Sequence, residues 1–230
     1  MVLSAPPVDL FRASVEAGRT RRRRRNGETE RQRRRALIEA VFNCVLERGV
    51  NNTTTEAIAR SAGVSKGVIH YYFRDKLELF QAAFATVLED QVQYWRRRVS
   101  PDSSAAEQLT ELIYAGLPMT EEGAKRARFW FQFMASSFVE PSLMRLHQES
   151  FLVFQQQVED FVTRLRSDGQ LTTPLPPSAV AQAILSFVDG LALRLVSQPP
   201  DAVGPIEDTV QAFVGCLVGA TPPLGSDRPA

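Results

Sequence analysis

Residues 53–76 read TTTEAIARSAGVSKGVIHYYFRDK, and the reading of this stretch decides the fold. It opens with a capping box, Thr53-Thr54-Thr55-Glu56, in which a hydroxyl accepts an orphan helix N–H and a carboxylate reaches back to the cap. Ala57, Ile58 and Ala62 follow as a short apolar stripe that Gly63 interrupts, which predicts a helix of only about eight residues. Ser65 caps a second short helix that runs to about Tyr71. Ile58, Ala59, Val64 and Ile69 are apolar where the two helices pack together, and Ser65, Lys66, Gly67, Val68 and His70 are left facing out. Two short helices joined by a glycine-containing turn form a helix-turn-helix, whose second helix fits the DNA major groove.

Upstream, Thr29-Glu30-Arg31-Gln32 has capping-box form, and Leu37, Ile38, Val41, Phe42, Val45 and Leu46 lie at helical spacing before Gly49. A helix over about 30–48 is expected. Downstream, Asp75 opens a long helix carrying Leu77, Leu79, Phe80, Ala83, Phe84, Val87 and Leu88. Five more helices are expected at about 103–117, 122–138, 141–168, 177–197 and 203–218, set apart by Pro and Gly signals. With no strand pattern, the fold class is all-α. The expected organisation is a disordered basic arm at 1–27, a helix-turn-helix domain at 28–76, a helical body at 77–219 and a flexible tail at 220–230.

Charge is divided along the chain. Of 27 Lys/Arg and 26 Asp/Glu, residues 1–76 hold sixteen and eight, leaving eleven and eighteen for the remainder, a net +8 against −7. A basic front beside an acidic body fits a part that meets phosphates and a part that stays clear of them. The run Arg21–Arg25, with Arg24 and Arg25 nearest the first helix, reads either as an arm entering the minor groove or as a solvated tail.

Several function classes are excluded by pattern. There is no P-loop, GxSxG or HExxH motif, and the two histidines fit no triad, so no enzyme is expected. Cys44 and Cys216 lie far apart without metal spacing, so neither a metal site, a cofactor nor a disulfide framework is indicated. No apolar run long enough to span a bilayer and no secretory signal are seen, which predicts a cytoplasmic protein with no membrane partner. His147, on the helix expected at 141–168, reads as a surface or satisfied core residue.

The order of residues is more specific than a generic helix-turn-helix. Thr54, Ile58-Ala59, Ala62-Gly63-Val64-Ser65-Lys66-Gly67 and Tyr71-Tyr72-Phe73-Arg74-Asp75-Lys76 closely resemble the signature of the TetR family, over about residues 30–219. The resemblance implies nine helices, a three-helix DNA-binding domain, a helical body for effector binding and dimerisation, and no enzymatic activity. It places Thr54, Tyr72 and Lys76 at DNA phosphates, and Ser65, Lys66, Gly67, His70 and Tyr71 in or beside the groove. Hydroxyls and an ammonium fix register on the backbone, whereas Lys66 or His70 can donate to guanine, and Val68 can touch a thymine methyl. Val68-Ile69 and His70-Tyr71 stand where many members have Thr-Leu and Tyr-His, so a shared operator is not implied.

Within the family, Phe129-Trp130, Ala135-Ser136-Ser137 and Asp189-Gly190-Leu191 resemble the branch of the choline-responsive repressor of betaine synthesis. That branch implies a quaternary-ammonium effector held by ring faces. The candidates are Trp130, Phe133, Phe138, Phe151 and Phe154, although rings at helical spacing ordinarily read as hydrophobic core. Ile184, Phe187, Gly190, Leu191, Val210, Phe213 and Leu217 lie on two helices whose apolar stripes are broader than one packing face needs, which points to a homodimer. The expected function is a homodimeric repressor that leaves a palindromic operator when a small effector binds. A DNA-binding regulator controlled by a protein partner, or constitutive, is the alternative.

Overall fold

The computed structural model describes residues 27–100, 102–199 and 202–219. Among the described residues there are nine helices and no strand: α1 Gly27–Arg48, α2 Thr55–Ser61, α3 Lys66–Tyr72, α4 Lys76–Arg98, α5 Ala105–Gly116, α6 Glu121–Ser137, α7 Pro141–Ser167, α8 Pro177–Ser197 and α9 Ile206–Val218. Most of the expected arm, Arg24 and Arg25 included, lies outside the described residues, as does the tail from residue 220.

Local chemistry explains the boundaries and corrects two caps. α1 begins at Gly27, so Thr29 stands in its first turn and not at a cap. The cap of α2 is Thr54, whose Oγ accepts from the Ala57 N–H at 3.1 Å. Thr53, expected to open that box, is buried and donates its hydroxyl to the Gly49 carbonyl at 2.7 Å. Gly63 turns the chain between α2 and α3 at φ 66°, in the left-handed region that a residue with a Cβ rarely adopts. Asp75 accepts from the Glu78 N–H at 2.9 Å, and Glu78 accepts from the Arg74 N–H at 2.7 Å, so the start of α4 is closed reciprocally. Backbone donation from Glu78 holds the Asp75 carboxyl below its usual range.

The chain divides into two compact units. Unit 1 holds the described residues up to Asp90 together with Thr120–Val153; unit 2 holds Gln91–Met119 together with the described residues from Phe154 onward. Helices α4 and α7 therefore contribute to both. In unit 1, Val41, Phe42 and Val45 of α1, Ile58 of α2, Ile69 of α3, Phe80 and Phe84 of α4 and Phe129 and Phe133 of α6 are buried in one core. Lys125 pairs with Glu39 at 2.9 Å, adding a polar tie between α6 and α1.

In unit 2, α5 packs on α8 and α9. Leu109 and Ile113 of α5, Val180 and Ile184 of α8 and Val210 and Val214 of α9 are buried there. The approach of α5 to α8 depends on Gly116: a Cβ on it would stand 2.5 Å from a Val188 methyl, closer than atoms pack. α8 is long and apolar enough, by length and composition, to cross a membrane, at a mean hydropathy of 1.6 over its most apolar window. The sequence reading expected no such run. Gln182, Ser186, Asp189 and Gly190 interrupt the consecutive apolar residues without lowering the average enough. About a third of that window (33%) is buried within the chain.

Candidate functional site

Unit 1 carries two assemblies of functional side chains. The first is the surface of α3 and its approaches. Ser65, Lys66, Gly67, His70 and Tyr71 are exposed, and Val68 and Tyr72 are half-buried. Ser65 caps α3 by backbone geometry but makes no side-chain cap hydrogen bond. Ile69 is fully buried and anchors α3 to the core, so the remaining faces are presented outward. Tyr71 and Tyr72 meet edge to face at 5.0 Å.

A groove of about 530 Å³ is lined by Glu30 and Arg33 of α1 with Ser65, Gly67, Val68, Tyr71 and Tyr72. Five of the expected DNA-contacting residues thus share one concave surface. Arg33, exposed at its edge, belongs to the basic cluster of Arg31 and Arg33–Arg35 that continues the Arg21–Arg25 run. Thr54 is exposed and its oxygen is engaged as the α2 cap. Lys76, the first residue of α4, holds its ammonium 5.4 Å from the centre of the Phe80 ring.

Lys66 is not free in this state. Its ammonium hydrogen-bonds Glu56 of α2 and holds that carboxyl below its ordinary range. At Gly67, by contrast, nothing among the described residues requires glycine. A Cβ there would meet no atom nearer than Ser65 Oγ, at an ordinary 3.7 Å. The helix would gain from a residue with better propensity.

The second assembly is aromatic. Phe42 of α1 meets Phe129 of α6 edge to face at 4.7 Å, Phe129 lies 6.1 Å from Phe133, and Phe133 lies 5.2 Å from Phe84. Phe84 meets Trp130 at 4.6 Å. His147 stands beside three rings, 5.7 Å from Trp130, 5.8 Å from Phe151 and 6.1 Å from Phe84. Burial pushes the His147 imidazolium below the usual histidine range, so the ring is neutral at pH 7.

Of the five expected pocket residues, this cluster brings together Trp130, Phe133 and Phe151. Phe133 is wholly buried beneath it. Phe138 is 73% exposed beyond the end of α6, and Phe154 belongs to unit 2. Phe84 and His147 were not among the candidates. Phe84 read as one of several core positions on α4, and a lone histidine carries no local signal of the rings that will surround it.

The expected interface residues also separate. Ile184, Leu191, Val210 and Leu217 are buried within their own unit. Phe187 and Phe213 are half-buried and stack at 4.1 Å, while Gly190 is exposed with no atom within 4 Å of a built Cβ. Leu193, also on α8, is 47% exposed.

Comparison with known proteins gives a consistent picture. Residues 37–83 match the model of bacterial regulatory proteins of the tetR family, and residues 105–218 match that of the BetI-type transcriptional repressor C-terminal domain. The chain is 33% identical over 168 residues, 70% of its length and 81% of theirs, to the HTH-type transcriptional regulator BetI of Klebsiella pneumoniae and of Escherichia coli K12. In structure it resembles a Rhodococcus sp. protein described as a TetR-family regulator, at a TM-score of 0.70 and 23% identity, over 80% of this chain and 95% of that one. It also resembles a Saccharomonospora viridis protein described as a transcriptional regulator, solved in complex with choline. That likeness has a TM-score of 0.62 at 19% identity, over 80% of this chain and 94% of that one, and it carries the fold alone.

Proposed function

Since this chain belongs to the tetR family of bacterial regulatory proteins and carries a BetI-type repressor C-terminal domain, we propose that two copies hold a pseudo-palindromic operator and release it when a small effector binds. The observation that carries the DNA-reading part is Gly67. A glycine on an exposed helix that internal packing does not require is explained by something approaching from outside. Ser65, Lys66, Val68, His70 and Tyr71 read the groove around it; Thr54, Tyr72 and Lys76 fix register on phosphates; Arg24 and Arg25 reach into the minor groove.

Residues 28–76 form the reading part and 77–219 the effector and second-copy part, at work in the cytoplasm. The effector lies among Phe84, Trp130, His147 and Phe151. Ring faces beside a neutral imidazole suit a methylated cation, and the choline held by the S. viridis protein is chemistry of this kind. The run of ring contacts from Phe151 to Phe42 supports a physical link between effector and α1, all within unit 1. An effector with higher affinity for the state whose two reading helices are wrongly spaced shifts the population toward release. The second copy docks on Phe187, Gly190 and Phe213, the part of the expected interface left open.

Sequencing the genomic fragments retained by the purified protein at physiological salt tests this reading. The expected result is a shared palindrome with half-sites about one helical turn apart, lost when choline or a relative is added. Fragments without a common site would contradict it. A palindrome released by no metabolite would leave a constitutive or partner-controlled regulator in its place.

A further inference from the structure

The surface of unit 1 that the operator reading turns toward phosphates carries a carboxylate at its centre. Glu56 is the only Asp or Glu between residues 51 and 74. It stands exposed in the first turn of α2, and its carboxylate accepts from the ammonium of Lys66, the first residue of α3, ten positions on. That hydrogen bond is the main cause holding the Glu56 carboxyl below its ordinary range, so it is fully charged at neutral pH.

The pair does little for the fold. The side chains are 51% exposed at Lys66 and 55% at Glu56, and ion pairs so open to water add little stability. Thr54 caps α2 without help from the pair, and buried Ile69 anchors α3. An exposed carboxylate also repels phosphates, so it opposes general attraction to DNA. The neighbouring cations are placed differently. Arg33, on the groove, and Arg60, in the last turn of α2, have no ion-pair partner among the described residues. Of these three cations, the one that is held is the one read as reaching a base.

We infer that Glu56 sets the specificity of the reading helix by withholding Lys66 from phosphates and aiming it at a base acceptor. An ammonium has three donors, so Lys66 can keep Glu56 and still donate to guanine O6 or N7. Phosphates are present at every sequence, whereas those acceptors stand only where a guanine does. Neutralised by Glu56, Lys66 adds little to the counterion release that drives non-specific binding. Glu56 is thus a positioning residue that acts through Lys66. Its role rests on the reading of α3 as the helix that contacts bases.

The test is binding of the full chain to a retained genomic duplex and to a shuffled duplex of the same composition, each over a range of salt. Glu56→Gln should raise affinity for the shuffled duplex and steepen its slope of log affinity against log salt by about one, as Lys66 gains a phosphate. The ratio of the two affinities should fall about tenfold, the discrimination that a single base contact carries. Lys66→Gln should lower the ratio by a similar factor and leave the shuffled-duplex slope as in the parent. With Lys66→Gln already present, Glu56→Gln should not change the ratio further. A carboxylate that merely repels DNA would give a variant with both affinities raised alike and the ratio intact. That result would overturn the inference while the operator reading stands. A parent chain that binds the two duplexes equally would overturn both.

Discussion

In unit 1 the rings of Phe42, Phe80, Phe84, Phe129 and Phe133 are wholly buried and meet largely edge to face or tilted. In unit 2, Phe187 and Phe213 lie parallel, at 1° between planes, and stay half-exposed. The first region completes its core from its own helices. The second carries α8, the most apolar long helix among the described residues, with a third of its apolar window buried within the chain. The difference separates a core that folds around its own rings from a surface left partly open, on which the second copy is proposed to dock.

Removing a ring from each region should give the largest contrast. Phe133→Ala is expected to cost about 3 to 5 kcal/mol in urea unfolding at every protein concentration, because the cavity lies in a closed core. Phe213→Ala should cost little at low protein concentration and progressively more as concentration rises, since what it removes is surface shared between copies. Equal, concentration-independent losses would erase the distinction.

The buried titratable groups should pull the two regions in opposite directions with pH. Burial pushes the Asp189 carboxyl up to about 6 in unit 2. Between its ordinary value and about 6 the folded state holds a proton that the unfolded chain has released, so the contribution of Asp189 to stability is complete below about pH 4 and is lost as pH rises toward 6. Asp189→Asn should remove that decline, gaining on the order of 2 kcal/mol at pH 7.5 and nothing near pH 4. His147 in unit 1 is displaced downward, so its contribution is complete above the ordinary histidine range and is lost as pH falls through it. His147→Phe should flatten that acid-side loss. A Tm profile that leaves both variants parallel to the parent would refute the assignment.

Smaller effects sharpen the picture of the reading head. Thr54→Ala should cost about 1 kcal/mol through the lost α2 cap, whereas Glu56→Gln, which leaves that cap in place, should change thermal stability far less. Gly67→Ala should raise stability slightly, by under about 1 kcal/mol, and yet weaken binding to a retained DNA fragment. A stability gain with unchanged DNA affinity would remove the external reason for that glycine.

The reading head was legible because its signals are local. Cap residues, a left-handed glycine and one buried residue on α3 are all read within about two dozen positions, and even there Thr53 and Thr54 exchanged roles because tertiary burial drew Thr53 inward. Helix boundaries after residue 100 were legible for the same reason, with Pro and Gly marking α6 to α8. The aromatic cluster was only half legible. Trp130, Phe133 and Phe151 announced themselves by type, but Phe84 and His147 join them through contacts between helices far apart in sequence. Spacing also cannot divide one apolar stripe between a chain's own core and an open face, which is why Ile184 and Val210 read alike with Phe187 and Phe213.

Sedimentation of the full chain bound to a retained genomic duplex tests the central claim most directly. Two chains are expected on each duplex bearing one palindrome, with Phe213→Glu giving a folded single chain that no longer holds the site. A single chain occupying the palindrome at full affinity, or a Phe213→Glu variant that still binds in pairs, would contradict it.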